Sequence, residues 1–398
     1  MPWRETDLKT ERIRFIVEAE QIDHNTAALC RKFGVSRKTG YKWLQRFREV
    51  GSLDGLDDLS RRPHHSPNRT SEAIEERVEA LRLSTGWGGK KLCILLAREE
   101  IQLAASTIDR IIQRRGLTRV VERGKAATQR FERAHANELW QMDFKGEYPL
   151  RQNGYCYPLS VLDDHSRYNV GLFALSSKRI PGVQRSLINC FERCGLPEAM
   201  LMDRGAPWWS TTNGYGLTKL SVFLIKQGID LIYGHPYHPQ TQGKVERFHR
   251  TLHETLSYLG KPDTLRGFNS AFASISRTYN EERPHESLGM QVPAQRYTPS
   301  SRAYKPSPKP WVYPTGAQVY RLNSAGCLTY GDRRYFVCEA LANEEVWCQP
   351  FADRVLVTYR HMHIREIDLS TKRTRPLVQP VDFKHLKSNH DATACETS

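Results

Sequence analysis

From residue 139 to residue 259 the hydrophobic period switches between two and about 3.6 in a fixed order, and few architectures accept that order. Leu139-Trp-Gln-Met-Asp-Phe144 alternates as a strand. Residues 157–162 and 168–175 do the same, joined by Asp163-Asp-His-Ser-Arg167. A helix carrying Val183, Leu187, Ile188 and Phe191 follows. Next come a short buried strand over 198–203, a helix over 217–227 and a strand over 229–233. A last helix starts near Gln242, with Val245, Phe248, Leu252, Leu256 and Leu259 as its apolar stripe. Three hairpin-connected strands followed by alternating helix and strand imply an α/β mixed sheet with helices on its faces.

Three acids occupy special positions in this order. Asp143 lies inside a strand, where Asp is disfavoured. Asp203 ends a buried strand, the usual place for ligand chemistry in open sheets. Glu246 sits near a helix start, on a stripe adjacent to the apolar one with Arg250, His253 and Ser257. Each has a local structural use: a strand's polar face, a turn former, and an i,i+4 partner of Arg250. As a set on one sheet they point to chemistry, because clustered carboxylates repel unless cations neutralise them. Hard divalent ions take oxygen ligands. Two such ions suit an in-line displacement at phosphorus and make a protein nucleophile unnecessary.

The flanks are of a different kind. Residues 10–20 read as a helix with Ile13, Ile16 and Val17 on one face. A short helix stopped by Gly34 follows, and Ser36 then fits an N-cap for a basic helix over 37–48. Tyr41, Leu44 and Phe47 are expected inward, with Arg37, Lys38, Lys42 and Arg46 outward. Short helix, tight turn and basic helix make a helix-turn-helix, although a solvated cationic face has the same pattern. A second such unit follows residue 71. It turns at Gly86-Trp-Gly-Gly-Lys-Lys91 and ends in a basic helix capped by Ser106, with Lys90, Lys91, Arg110 and Arg114 as DNA-facing candidates. Six short strands at regular spacing after residue 315 suggest a small C-terminal β-barrel, either a DNA-backbone contact through Arg333, Arg334, Arg354 and Arg360 or a stabilising or multimerising module.

The expected domains are therefore 1–56 and 71–125 (helix-turn-helix units), 130–298 (catalytic core) and 315–369 (barrel). Basic and proline-rich linkers lie at 57–70 and 299–314, and a disordered tail at 370–398. The 398 residues hold 59 Lys and Arg against 44 Asp and Glu, a net charge of +15 that suits a polyanionic partner. The absence of a long apolar run or leader-like start implies no membrane span. Nine cysteines without zinc spacing read as reduced thiols. A cytoplasmic, nucleoid-associated protein is the expectation.

The runs Trp140-Gln-Met-Asp-Phe144, Leu162-Asp-Asp-His-Ser-Arg167, Met202-Asp-Arg-Gly205 and His238-Pro-Gln-Thr-Gln-Gly-Lys-Val-Glu-Arg-Phe-His-Arg250 together resemble bacterial insertion-sequence transposases with a retroviral-integrase-like DDE core. Val35-Ser-Arg-Lys-Thr-Gly-Tyr-Lys-Trp43 and Ser60-Arg-Arg-Pro-His64 are similar to the same family. The resemblance implies an RNase H-like core with Asp143, Asp203 and Glu246 as catalytic, metal-binding triad, loaded with Mg²⁺ or Mn²⁺. It also implies binding of element terminal inverted repeats and target DNA, 3′-end cleavage, strand transfer, and a homodimer or larger synapse. Lys244 and Arg250, flanking Glu246, join the DNA-facing candidates. A catalytically silent DNA-binding regulator derived from such an enzyme, and a plain RNase H-type nuclease, are the other readings. The sequence departs from the family at Arg204, where Asn is usual, and at His253, where Lys or Arg is common.

Overall fold

The first 71 residues close around one buried glycine. A Cβ on Gly40 would stand 2.5 Å from Cys30 Sγ and 2.9 Å from the Phe15 ring, so only glycine lets the three N-terminal helices meet there. These are α1 (Leu8–Ala19), α2 (Thr26–Lys32) and α3 (Arg37–Val50). The computed structural model describes residues 8–21, 25–59, 69–118, 132–210, 216–234 and 243–380. It divides into two units, residues 1–71 and 72–398.

In the first unit Gly34 takes a left-handed φ of 67°, and Ser36 Oγ accepts the Thr39 amide at 3.1 Å to start α3. Two inward faces differ from the sequence reading. Phe15, Ile16 and Ala19 are buried on α1 while Val17 is exposed. On α3, Trp43 and Leu44 are buried and Tyr41 points outward. Trp43 wins because three cations cover its ring: Arg12, Arg46 and Lys42, at 3.9, 4.7 and 5.1 Å from the ring centroid.

The second unit opens with another three-helix group: α4 (Glu72–Thr85), α5 (Gly89–Arg98) and α6 (Ala105–Arg114). Arg82 staples the turn after α4 by donating to the carbonyls of Gly86 and Trp87. Helix α6 begins one residue before Ser106, with Ala104 at its N-cap and no side-chain cap.

The central sheet contains β1 (Leu139–Phe144), β2 (Tyr148–Pro149), β3 (Tyr155–Asp163), β4 (Asn169–Leu175), β5 (Ala199–Met202) and β8 (Asp230–Tyr233). Strand β3 pairs antiparallel with β2, β4 and β1, while β1–β5 and β5–β8 are parallel. Between β4 and β5 runs α7 (Ile180–Cys194); between β5 and β8 lie the short pair β6 (Trp209–Ser210) and β7 (Gly216–Leu217), then α8 (Lys219–Lys226). Helices α7 and α8 share an apolar cluster with Trp140, Met142, Leu159 and Val161. Helices α9 (Gly243–Leu259) and α10 (Leu265–Arg277) share another with Cys156, Leu162, Leu172 and Ala174. The two clusters split β3 by residue parity, odd residues to one and even residues to the other, as a sheet covered on both faces requires. The expected mixed-sheet core is therefore present, with helices on both faces.

The C-terminal strands are β9 (Val319–Arg321), β10 (Cys327–Tyr330), β11 (Arg333–Phe336), β12 (Glu345–Phe351), β13 (Arg354–Tyr359), β14 (Met362–Asp368) and β15 (Arg373–Pro380). They form a five-stranded antiparallel sheet, ordered β15-β14-β13-β12-β9, and a separate β10–β11 hairpin. Among the described residues no pairing joins β15 to β9, so the sheet is open where a closed barrel was expected. Part of the expected disordered tail is strand β15, paired along β14, with Arg375 holding Glu366 across the two strands at 2.5 Å. Residues 381–398 lie outside the described residues, as do 60–68 of the first linker.

The second linker is also ordered. Its backbone is laced to the core by Ser300 N to Cys194 O at 2.8 Å and Leu196 N to Arg302 O at 2.7 Å. Arg302 donates to the carbonyls of Pro197 and Gly228. The C-terminal sheet shares the apolar cluster of α7 and α8, so it is packed on the core and not tethered to it. All eight cysteines among the described residues are free, and no helix among those residues is long and apolar enough to cross a membrane.

Candidate active site

Residue parity on β1 decides which side chains face α9. Trp140 and Met142 belong to the α7–α8 cluster, and Phe144 packs against it. Gln141 and Asp143 therefore point to the opposite face. Asp143 pairs across the ladder with Ser160 of β3. On that face the buried His249 of α9 hydrogen-bonds Ser160 Oγ through Nε2 at 3.1 Å, and its Nδ1 stands 3.7 Å from Asp143 Oδ2. Burial, with the charge of Lys145, pushes the His249 pKa down to about 3, so the ring is neutral at physiological pH.

The Asp143 carboxyl is 24% exposed, and Oδ1 accepts the Phe144 amide at 2.8 Å. Its pKa is pushed up to about 6. Burial is the main cause; the Phe144 amide opposes it, and the charges of Asp203 and Glu246 add to it. Lys178 lowers it in part, with its ammonium over the Phe144 and Tyr157 rings at 5.6 and 5.4 Å. All three acids of the sequence reading thus share one electrostatic neighbourhood.

Asp203 follows β5 and is exposed. Its Oδ1 accepts the Gly205 amide at 3.0 Å, and a Cβ on Gly205 would stand 3.0 Å from Oδ2, so the turn is built tightly around the carboxylate. Trp208 anchors this turn: it is buried and stacks on Phe144 with centroids 5.4 Å apart. Arg204 lies 5.5 Å from the Trp209 ring centroid. Glu246 is exposed on the first turn of α9, while Val245, Phe248, Leu252 and Leu256 are buried beneath it. Leu259, expected on that stripe, is 59% exposed at the helix end. Arg250 and His253 share the exposed side with Glu246.

Among the described residues no group of three His, Cys, Asp or Glu side chains stands close enough to hold a metal ion. Oxygen donors suited to a hard cation are Asp143, Asp203 and Glu246, and the charges of the latter two add to the effect of burial in raising the Asp143 pKa. His249, Lys178 and Ser160 were not found from sequence. Only His249 carried a signal: it lies three residues after Glu246, on the same helical turn.

The expected DNA-facing cations divide in two. Arg37, Lys38 and Lys42 are exposed on α3, as are Arg110 on α6 and Arg250 on α9. Lys90 is exposed, 3.6 Å from Glu286. Of the others, Arg46, Arg114 and Lys244 have partners inside the fold and Lys91 is drawn inward. Arg46 lies on Trp43 and donates to Asp57 O at 2.8 Å. Arg114 holds the fully buried Glu75 of α4 at 2.7 Å. Lys91 is half-buried, its pKa lowered to about 8 by burial and by Arg283. Lys244 is inward, 2.5 Å from the buried Asp164.

Comparison with known proteins agrees with this geometry. Integrase core domain models match residues 133–239 and 227–293, spans that include all three acids. A helix-turn-helix domain model matches 11–64 and a homeodomain-like domain model matches 39–112. The Gag-Pol polyprotein of baboon endogenous virus (strain M7) is 27% identical over 199 residues, 48% of this chain and 11% of that one. The Gag-Pro-Pol polyprotein of simian retrovirus SRV-2 is 30% identical over 125 residues, 31% of this chain and 6% of that one. The chain thus spans about a tenth or less of these viral polyproteins. Among solved structures, a simian T-cell lymphotropic virus intasome in complex with PP2A regulatory subunit B56 gamma aligns at 14% identity and TM-score 0.36, over 76% of this chain and 98% of that one. The HTLV-2 integrase catalytic core domain in complex with magnesium aligns at 15% and 0.33, over 42% of this chain and 99% of that one. The chain carries an integrase core behind N-terminal helix-turn-helix domains.

Proposed function

We propose that this chain binds the terminal inverted repeats of a mobile DNA element, cleaves there to free 3′-OH ends, and joins those ends to target DNA. One observation carries the reading: integrase core domain matches span residues 133–293, and within that span Asp143 on β1, Asp203 after β5 and Glu246 on the first turn of α9 share one electrostatic neighbourhood. Asp143, Asp203 and Glu246 are the residues that would hold Mg²⁺ or Mn²⁺, two ions per site. Such ions would supply Lewis-acid activation of the attacking oxygen and charge stabilisation on the leaving one.

The chain's own groups do the rest. Ser160, His249 and Asp143 stand in the order of a hydrolytic triad, but Ser160 is fully buried, so its hydroxyl cannot reach a scissile phosphate. The nucleophile is then water in the first step and the freed DNA 3′-OH in the second. His249, neutral and packed against Ser160, holds the α9 face of Asp143. The exposed Arg37, Lys38 and Lys42 would read element ends, Arg110 would add backbone contacts, and Arg250 would meet phosphate one turn beyond Glu246. Processing two ends calls for a homodimer or larger assembly.

A strand-transfer assay with labelled element ends tests this. Asp143→Asn, Asp203→Asn and Glu246→Gln are each expected to abolish cleavage and joining while leaving end binding within twofold of wild type. Joining by the Asp143→Asn chain would remove the acid trio from the mechanism. A wild-type chain that binds ends but never cuts them in Mg²⁺ or Mn²⁺ would leave the silent regulator as the reading.

A further inference from the structure

The Asp163-Asp-His-Ser-Arg167 run has no place in the chemistry above, yet its second acid is among the most enclosed charges in the core. Asp164 is fully buried immediately after β3. Its Oδ1 accepts Gln141 Nε2 at 2.7 Å, and Oδ2 accepts the Arg133 amide at 2.9 Å. Lys244 reaches Asp164 from the first turn of α9, with Nζ 2.5 Å from Oδ2 and 3.1 Å from the backbone carbonyl. Gln141 completes the loop: its Oε1 accepts the Val245 amide at 3.3 Å. The first amides of a helix have no partner within the helix, so a strand side chain here takes the place of a cap.

The spacing gives this ring its meaning. Gln141 lies two residues before Asp143 on the same face of β1, and Val245 lies one residue before Glu246. Two of the three acids therefore share one buried hydrogen-bonded frame. Glu246 itself is exposed, so the buried frame beneath it sets the level of its helix turn.

We propose that Gln141, Asp164 and Lys244 are positioning residues that clamp the N-terminal turn of α9 to β1 and so set Glu246 opposite Asp143 for divalent-cation binding. The inference rests on the acid trio being a cation site. It gives Lys244 an internal role in place of a phosphate contact. Outer groups that orient ligands typically cost 10–100-fold in metal affinity when removed.

The test uses the full-length chain and Mn²⁺ alone as probe, with bound and free ion separated by electron paramagnetic resonance. Lys244→Met is expected to weaken Mn²⁺ binding about tenfold or more and to lower cleavage in step. End affinity and its salt dependence should stay within twofold of wild type. Lys244→Arg should restore most of the Mn²⁺ affinity, which a mere loss of packing would not explain. Because Lys244→Met strands a buried carboxylate, Asp164→Asn/Lys244→Gln serves as a second variant with both charges removed. It should fold, by circular dichroism and thermal midpoint, and still bind Mn²⁺ weakly. Unchanged Mn²⁺ binding in Lys244→Met, with weaker end binding and a salt slope reduced by about one, would overturn the proposal and make Lys244 a phosphate contact. Failure of the neutral double variant to fold would overturn it too, since the ring would then serve the fold and not the site. If wild type holds Mn²⁺ no better than Asp143→Asn does, the cation site itself fails, and the clamp's purpose with it.

Discussion

Asp143 is costly to the fold where it is useful to chemistry. Its pKa, near 3.8 in an unfolded chain and about 6 here, means that the folded state binds the proton more tightly. Stability from this group therefore falls as pH rises from about 4 to about 6, and the loss is complete above that, amounting to ~3 kcal/mol at most. In chelator at pH 7.5, Asp143→Asn should melt several degrees above wild type while being inactive, and the gap should close near pH 4. Equal melting temperatures across that range would show that Asp143 is not strained by its neighbours. The candidate was legible because Asp inside an alternating strand has no packing reason to be there. Its companions were not. His249 sits in a run with other histidines, and Lys244 looks like any cation near a polyanion site until Asp164, eighty residues earlier, is placed beside it.

At the level of elements, periodicity predicted the central sheet well and cation roles poorly, because a charge pattern does not say which charge has an internal partner. Arg114 and Arg110 lie on one helix, one turn apart, and part company for that reason. Arg114 holds the buried Glu75, while Arg110 is exposed. Arg114→Ala is expected to lower the unfolding free energy by about 1–3 kcal/mol in urea, with the salt slope of DNA binding unchanged. Arg110→Ala should do the reverse, and a swapped pattern would reassign both. Helical periodicity also missed Trp43, whose burial depends on the cations stacked over it. Gly40, an apparent flaw in α3, is the contact point of the first unit. Gly40→Ala should cost about 1–3 kcal/mol by overpacking against Cys30 and Phe15, checked by chemical denaturation, and a neutral effect would refute that contact.

On the scale of the molecule, the proline-rich stretch at 299–314 misled because composition reports stiffness and polarity, not backbone partners. Its carbonyls and amides are engaged by Cys194, Leu196 and Gln227, and the C-terminal sheet continues the core's apolar cluster. His361 lies in that junction, 3.2 Å from the Ile229 carbonyl, its pKa lowered to about 4 by burial. Its contribution to stability is complete above about 6.5 and is lost as pH falls toward 4. His361→Gln should flatten the acid limb of the thermal midpoint over that window, and an unaltered limb would place the acid sensitivity elsewhere. Strand β15 was illegible for a related reason: its polar residues form a strand only because β14 supplies the partner.

The central claim is that Asp143, Asp203 and Glu246 meet around a divalent cation. Fe²⁺ substituted at the site, with peroxide and ascorbate, cleaves the polypeptide near where the ion sits. Fragments ending close to residues 143, 203 and 246, suppressed by excess Mg²⁺ and absent from Asp143→Asn, are the predicted result. Cleavage at other positions, or cleavage at these that Mg²⁺ does not suppress, would contradict it.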